Sequence, residues 1–306
     1  MNEQISVLER QPVLLDGAWG SQLMAHGLPV GECPEAWNIH NPAKVQHVAT
    51  SYVGAGCRII LTNTFGGNRI LLARYGLADD TAEINRRGAA ISCKVAAGHA
   101  LVFGSVGPTG KVLAAGEITE TELLSVFAEQ TQALASGGVD GIVVETMSDI
   151  DEARIAVKAA KLTGLPVVGC MTFGYGKTGD RTMNGVTPET AAVGLAEAGA
   201  DAVGSNCGCG PATMVSICQR MKAAVSLAIW MKPNAGMPQQ RGDRSLFIYD
   251  ATPESFAAEA AALARAGTDY LGGCCGTSPA FISSLQDELI RMQQGRSNAG
   301  KSSTSA

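Results

Sequence analysis

The chain of 306 residues is 46% hydrophobic and carries a formal net charge of -5, a balance typical of a globular protein with a large core. Its mild acidity argues against nucleic acid as a partner, and no apolar run approaches the length of a membrane span. Residues 1–10 lack the apolar core of a signal peptide, so the nine cysteines predict a cytoplasmic protein with metal or thiol chemistry and no disulfides.

Short apolar runs alternate with helical patterns eight times along the chain. The predicted strands are apolar on successive residues, as in parallel strands buried on both faces, and span 13–16, 58–62, 101–106, 141–145, 166–172, 202–206, 227–232 and 270–273. The predicted helices between them are rich in alanine and span 43–55, 81–97, 120–136, 150–163, 188–198, 212–224, 253–266 and 279–293.

Eight βα units in one unbroken run predict a single (β/α)8 TIM barrel over residues 1–294. Residues 295–306 are predicted to form a disordered polar tail. A doubly wound sheet is the alternative architecture, and it would normally include a glycine-rich phosphate loop.

Adjacent cysteines stand out in the segment 272–279, Gly-Gly-Cys-Cys-Gly-Thr-Ser-Pro, at the end of the last predicted strand. Neighbouring cysteines rarely form a disulfide without strain, whereas two thiolates there can share one soft metal ion. Cys207 supplies a third thiol at the end of the sixth strand. Cys207, Cys274 and Cys275 therefore predict a three-sulfur zinc site, whose open fourth position is typical of a catalytic zinc.

Other polar residues also follow the predicted strands, at the barrel end where active sites lie. They are Asp16, Thr62, Asn63, Thr64, Pro108, Thr109, Glu145, Thr146, Thr172, Asn206, Pro233 and Asn234. We expect these side chains to share one rim with the three cysteines.

Seven segments together resemble the homocysteine S-methyltransferase family, over residues 12–292. These segments are 15–20, 62–65, 104–109, 145–146, 206–208, 233–236 and 272–277. Their most specific feature is the occurrence of Asn-Cys at 206–207 together with Gly-Gly-Cys-Cys-Gly at 272–276. The resemblance implies an S-methyltransferase that methylates the thiolate of L-homocysteine and forms methionine. It also implies that Cys207, Cys274 and Cys275 hold zinc, with the homocysteine sulfur as fourth ligand.

Two rim carboxylates are candidates for the substrate ammonium, and the resemblance gives a ligand role to both Asp16 and Glu145. The alternatives are that Asp16 caps a loop and that Glu145 only ends an apolar strand. The substrate carboxylate requires backbone N–H groups, which the turns at Gly17 and Gly107 can supply.

Two asparagines complete the candidate substrate site. Asn63 follows the second predicted strand and is a candidate substrate contact. Asn234 follows the seventh, and the sequence leaves open whether it contacts zinc or substrate.

Three aromatic residues, Trp19, Phe65 and Phe173, follow predicted strands in a chain that is only 5% aromatic, and Tyr175 adjoins them. They predict either simple packing or a cage for a methylated cation, since quaternary ammonium and sulfonium groups are attracted to aromatic faces. We therefore expect an onium donor, either betaine-like, S-methylmethionine or another sulfonium.

The expected partners are homocysteine and a methyl donor, without nucleic acid or membrane. We expect the chain to lack folate and cobalamin modules, so the alternative is a methyl-transfer subunit that works with methylcobalamin or a separate corrinoid protein. Whether the chain forms a homo-oligomer stays open. A zinc-storage or thiol-redox role for Cys274 and Cys275 is a third hypothesis, against which the polar rim argues.

Overall fold

The computed structural model describes residues 12–236, 239–240 and 247–302, without the side chains of 239–240, 247–248 and 295–302. Its strands are β1 (Val13–Leu14), β2 (Ile59–Leu61), β3 (Leu101–Val106), β4 (Gly141–Met147), β5 (Val167–Met171), β6 (Ala202–Asn206), β7 (Ala228–Lys232), β8 (Gln239–Gln240), β9 (Phe247–Ile248) and β10 (Tyr270–Leu271). The hairpin of β8 and β9 is antiparallel and separate from the main sheet.

The other eight strands form one parallel sheet in the order β1-β10-β7-β6-β5-β4-β3-β2. Its two edges meet, because Leu15 forms a parallel bridge with Ile59 and the N–H of Arg58 donates to the carbonyl oxygen of Leu14 at 2.8 Å. The sheet thus closes on itself, and the predicted (β/α)8 barrel is confirmed.

Helices surround the barrel: α1 (Trp19–Ala25), α2 (Trp37–His40), α3 (Pro42–Gly54), α4 (Arg69–Ala73), α5 (Thr81–Ala96), α6 (Glu120–Ser136), α7 (Ile150–Lys161), α8 (Pro188–Glu197), α9 (Pro211–Ala224), α10 (Pro253–Ala266) and α11 (Pro279–Ser302). The eight longest correspond to the eight predicted helices. The helices α1, α2 and α4 were not predicted, because elements this short show no clear helical period.

The last helix continues past the predicted domain boundary at residue 294. The backbone of α11 is helical to Ser302, because no proline follows Pro279 to end the helix. The division into a barrel over 1–294 and a polar tail over 295–306 stays a prediction, and residues 303–306 lie outside the described residues. Within the described ranges, no helix is long and apolar enough to cross a membrane.

Alternation along the strands places polar side chains above an apolar layer inside the barrel. That layer contains Val13, Leu15, Ile59, Leu61, Phe103, Val143, Val168, Cys170, Ala202, Trp230 and Tyr270. Ser105, Glu145 and Lys232 each follow a residue of this layer by two positions, toward the carboxyl end of the same strand. They therefore also point into the barrel. The strand period therefore brings these groups together at the rim where the cysteines lie.

Candidate metal and substrate site

The three cysteines predicted as metal ligands form a cluster. The Sγ atoms of Cys207, Cys274 and Cys275 all lie within 4.8 Å of one another, and those of Cys207 and Cys275 are 3.7 Å apart. We call these three side chains the thiol cluster. A tetrahedral zinc with Zn–S distances of about 2.3 Å would separate its sulfurs by about 3.8 Å, so the donor set and its spacing fit this ion.

Backbone turns hold the thiol cluster in position. Cys207 has a φ of 60° and Gly208 a φ of 74°, so the chain turns sharply after β6. A Cβ on Gly208 would overlap the carbonyl oxygen of Phe173, so this turn requires glycine. On the other side, the N–H of Cys274 donates to the carbonyl oxygen of Pro233 at 2.7 Å. The sulfurs are thus brought together by the fold itself.

The thiols of the cluster strongly influence one another's ionisation. A hydrogen bond with Cys274 lowers the pKa of Cys207, but a hydrogen bond with Cys275 and burial outweigh it and raise the pKa to about 12. Similarly, a hydrogen bond with Cys207 lowers the pKa of Cys275, but the hydrogen bond and charge of Cys274 raise it to about 12. Three thiols this close ionise together only when a cation offsets their charge.

Asp16 lies at the end of β1 and is fully buried, with partners on both carboxylate oxygens. Its Oδ1 accepts a hydrogen bond from Lys232 Nζ at 2.5 Å, and the two side chains form a buried ion pair. Its Oδ2 accepts from Trp19 Nε1 and from the N–H of Leu61, each at 2.7 Å. Lys232 therefore already neutralises the charge of Asp16, and the role of Asp16 toward the substrate ammonium stays a prediction.

Glu145 is buried near the end of β4, and among the described residues its carboxylate has only neutral hydrogen-bond donors. Ser105 Oγ donates to Oε1 at 2.5 Å, and Asn206 Nδ2 lies 3.3 Å from Oε2. Burial raises the pKa of Glu145, while the charge of Lys232 and the Ser105 hydrogen bond oppose this. No direct ion pair with Glu145 occurs among the described residues. A substrate ammonium would therefore supply the positive partner that this carboxylate lacks.

The two asparagine candidates have different surroundings. Both hydrogens of Asn63 Nδ2 are used within the protein, by the carbonyl oxygen of Pro34 at 2.7 Å and by Asn38 Oδ1 at 3.0 Å. In contrast, Asn234 is buried, and its Oδ1 has no hydrogen-bond partner in the described part of the chain. A buried acceptor without a partner is costly, so Asn234 Oδ1 fits a metal ion or a substrate donor.

The two glycine turns predicted to bind the substrate carboxylate also differ. A Cβ on Gly17 would lie 2.6 Å from Thr277 Oγ1 and 2.8 Å from the hydroxyl of Tyr52, so this turn is closely packed. The N–H of Gly107 donates to the carbonyl oxygen of Phe65 at 2.8 Å. The N–H of Gly107 itself is therefore already used within the protein, and a contact of this turn with the substrate carboxylate stays a prediction.

The predicted aromatic cage is only partly assembled. Trp19 is half-buried and Phe65 is 40% exposed, so part of each side chain is in contact with solvent. Phe173 is 1% exposed and packs in the main hydrophobic core, so it cannot present its ring to a donor. Tyr175, on the next loop, is exposed.

Sequence reasoning missed three residues that border the site, namely Lys232, Ser105 and Tyr249, and it placed Asn206 on the rim without a role. Lys232 and Ser105 occupy inward positions near strand ends where the neighbouring inward residues are apolar, a signal that strand alternation could have revealed. Tyr249 follows the hairpin, hydrogen-bonds to Cys275 and packs against Gly276. No sequence pattern relates this tyrosine to the cysteines.

The comparisons with known proteins agree with this geometry. A family model described as homocysteine S-methyltransferase matches residues 13–289. A relative named methionine synthase, from Mycobacterium tuberculosis (strain ATCC 25618 / H37Rv), is 30% identical over 297 residues, which are 91% of this chain and 24% of the relative. Another methionine synthase, from Mycobacterium leprae (strain TN), is 28% identical over 310 residues, which are 95% of this chain and 25% of the relative. The chain thus spans about a quarter of the length of these relatives.

Among solved structures, the metallated form of the homocysteine methyltransferase MmuM from Escherichia coli matches with a TM-score of 0.77. The match covers 94% of this chain and 99% of that chain at 21% sequence identity. At this identity the likeness shows the barrel fold.

Proposed function

Since the chain belongs to the homocysteine S-methyltransferase family and is a methyltransferase, we propose that it methylates the thiolate of homocysteine to form methionine, at a zinc ion held by Cys207, Cys274 and Cys275. The observation that carries this proposal is the thiol cluster, whose sulfurs have the spacing of zinc ligands. The family match and the metallated form of the MmuM enzyme from Escherichia coli support the same choice.

The chain supplies three of four tetrahedral ligands and leaves one position for the substrate sulfur. A zinc ion held there would act as a Lewis acid that lowers the pKa of the substrate thiol, so that the thiol releases its proton to solvent and the thiolate is the nucleophile. No protein base is required beside the sulfur. The residues of the chain orient the homocysteine and keep its sulfur directed at the methyl donor.

Glu145 is the residue that we propose for the homocysteine ammonium. Its carboxylate is buried and forms no ion pair among the described residues. It is near the thiol cluster, because Asn206 Nδ2 lies close to both Glu145 Oε2 and Cys274 Sγ. The Lys232–Asp16 pair has no net charge, so Glu145 would give a substrate ammonium in this region the strongest electrostatic attraction. Ser105 and Asn206 fix the direction of the carboxylate.

The Glu145→Gln variant is expected to bind homocysteine about 10–100-fold more weakly while it retains zinc. A hydrogen bond to a charged group contributes about 1.5–3 kcal/mol, and glutamine keeps the shape but loses the charge. Calorimetry with the zinc-loaded protein measures the affinity, and mass spectrometry measures the metal. Glu197→Gln, on the surface at the end of α8, is the control. An unchanged homocysteine affinity would remove Glu145 from the site.

For the donor we propose a small onium compound, betaine-like or sulfonium. Its leaving group departs neutral, so the methyl transfer requires no acid catalyst. Trp19 and Phe65 are partly in contact with solvent, and their rings would attract a methylated cation. Phe173 is no longer part of this proposal, because it is buried.

The Phe65→Ala variant is expected to lower kcat/KM for the onium donor by about 2–30-fold, because a cation–π contact contributes about 0.5–2 kcal/mol. Phe65 suits this test because its side chain is exposed and apolar. Leu162→Ala, an exposed apolar residue just after α7, is the matched control. Unchanged donor kinetics in Phe65→Ala, measured as methionine formed, would contradict the cage.

A second candidate is a subunit that receives the methyl group from methylcobalamin or a separate corrinoid protein. Exposed apolar side chains on loops after β2, β3 and β5 favour it, because apolar patches often mark contacts with other proteins. They are Phe65, Val112, Tyr175 and Met183. Relatives named methionine synthase, of which this chain spans about a quarter, support methionine as the product of either candidate.

A donor screen distinguishes the two candidates. Zinc-loaded protein and homocysteine are mixed with glycine betaine, S-methylmethionine, dimethylsulfoniopropionate or methylcobalamin, and methionine is read by mass spectrometry. Turnover with an onium compound is expected. Turnover with methylcobalamin alone would favour the second candidate, and homocysteine that neither binds nor reacts would contradict both.

A further inference from the structure

Asn206 connects three parts of the site. It ends β6, is fully buried, and its Oδ1 accepts a hydrogen bond from the N–H of Thr146 at 2.7 Å. Its Nδ2 donates to Thr146 Oγ1 at 2.6 Å and lies 3.3 Å from Glu145 Oε2 and 3.9 Å from Cys274 Sγ. A backbone N–H only donates, so the amide oxygen must face Thr146, which turns the amide nitrogen toward Glu145 and Cys274.

The backbone that Asn206 holds is strained. Thr146 has a φ of 60°, a region that β-branched residues rarely adopt. The pairing of β4 with β5 shifts register between Val144 and Met147, so Thr146 lies in a bulge. Bulges re-aim neighbouring side chains and occur next to active sites. Such strain persists only where the surroundings hold it, and Asn206 makes two hydrogen bonds to this one residue.

We propose that Asn206 is a positioning residue that clamps the bulge at Thr146 and thereby aims the Glu145 carboxylate at the substrate ammonium. The inference rests on the proposed function, because it takes Glu145 as the homocysteine ligand. Asn206 acts through Glu145 and Thr146 without touching the substrate. Because its amide nitrogen also approaches Cys274, the same side chain helps to fix the distance between the bound ammonium and the thiol cluster.

A double-mutant cycle on homocysteine affinity tests the link to Glu145. Calorimetry with zinc-loaded protein is expected to show that Asn206→Ala weakens binding about tenfold, whereas the same change in a Glu145→Gln background weakens it less than about twofold. Equal losses in both backgrounds would overturn the proposal. Ser205→Ala is the control, because Ser205 is the buried neighbour whose hydroxyl has no partner in the described part of the chain.

A second cycle needs no substrate and tests the clamp on Thr146. Asn206→Ala is expected to lower the urea midpoint, and to lower it less than half as much in a Thr146→Gly background, since glycine adopts a φ of 60° without help. Additive midpoint shifts would overturn the clamp. Wild-type protein that fails to bind homocysteine would contradict the proposed function and leave this cycle decisive.

Zinc content separates positioning from damage to the metal site. Each Asn206 variant, analysed by mass spectrometry after zinc loading, is expected to hold as much zinc as the wild type. Loss of zinc in Asn206→Ala would assign its effect to the thiol cluster and overturn the role through Glu145. The kinetic expectation is a raised KM for homocysteine, with kcat at saturating homocysteine within about twofold of wild type.

Discussion

Replacement of Cys275 by serine is expected to remove the bound zinc and reduce methionine formation below detection. Changes in residues that only support metal ligands already cost 10–100-fold in affinity or activity, so loss of a ligand is expected to cost more than about a hundredfold in zinc affinity. A serine hydroxyl is a harder and less acidic donor than a thiol, so it does not replace the third sulfur. Homocysteine would then meet the site as a thiol, which is mostly protonated at neutral pH.

The measurement is zinc per chain after loading and dialysis, with the methionine assay beside it. Cys93→Ser is the matched control, because Cys93 lies on α5 outside the cluster and its Sγ only donates to the carbonyl oxygen of Gly138, a contact that serine can keep. The circular dichroism spectrum of Cys275→Ser is expected to stay that of the wild type, since the barrel core does not depend on the metal. Full zinc occupancy in Cys275→Ser would contradict the assignment of the ligand.

The barrel was predictable because its signal repeats. Each parallel strand is covered on both faces and is therefore a mostly continuous apolar run in the sequence. Several helices also begin at a residue whose side chain caps the N-terminus. Thr119 with Glu122 forms the capping box of α6, whose bounds, like those of α10, match the prediction. The thiol cluster was predictable for a different reason: adjacent cysteines between glycines have few uses other than a metal.

The rest of the site depends on side-chain pairing, which the sequence does not encode locally. Asp16 and Lys232 are 216 positions apart, and nothing near either residue indicates the other. Phe173 follows its strand as Phe65 follows β2, yet one ring lies in the core and the other faces solvent. The bulge at Thr146 was also hidden, because a threonine with positive φ is held by contacts from another strand.

Replacement of Lys232 by methionine is expected to lower the free energy of unfolding by about 3–5 kcal/mol. Lys232 Nζ and Asp16 Oδ1 form an ion pair that is almost fully shielded from water. Removal of one partner leaves the Asp16 charge uncompensated in the barrel interior, and this is far more costly than the loss of an exposed ion pair. Methionine keeps the apolar stem of lysine, so the change reports mainly on the charge. Urea unfolding, followed by circular dichroism, measures the effect.

Two further variants test whether the expected loss of stability comes from the buried charge. Lys161→Met breaks the pair of Lys161 with Asp201, which has a similar length of 2.8 Å but is solvent-exposed, and it is expected to cost less than about 1 kcal/mol. The double variant Lys232→Met/Asp16→Asn removes both buried charges and is expected to recover part of the lost stability. If Lys232→Met and Lys161→Met cost the same, the buried pair would not be a main support of the barrel interior. Glu145 would then no longer be distinguished from Asp16 by the charge of Lys232, and the two carboxylates would be equal candidates for the substrate ammonium.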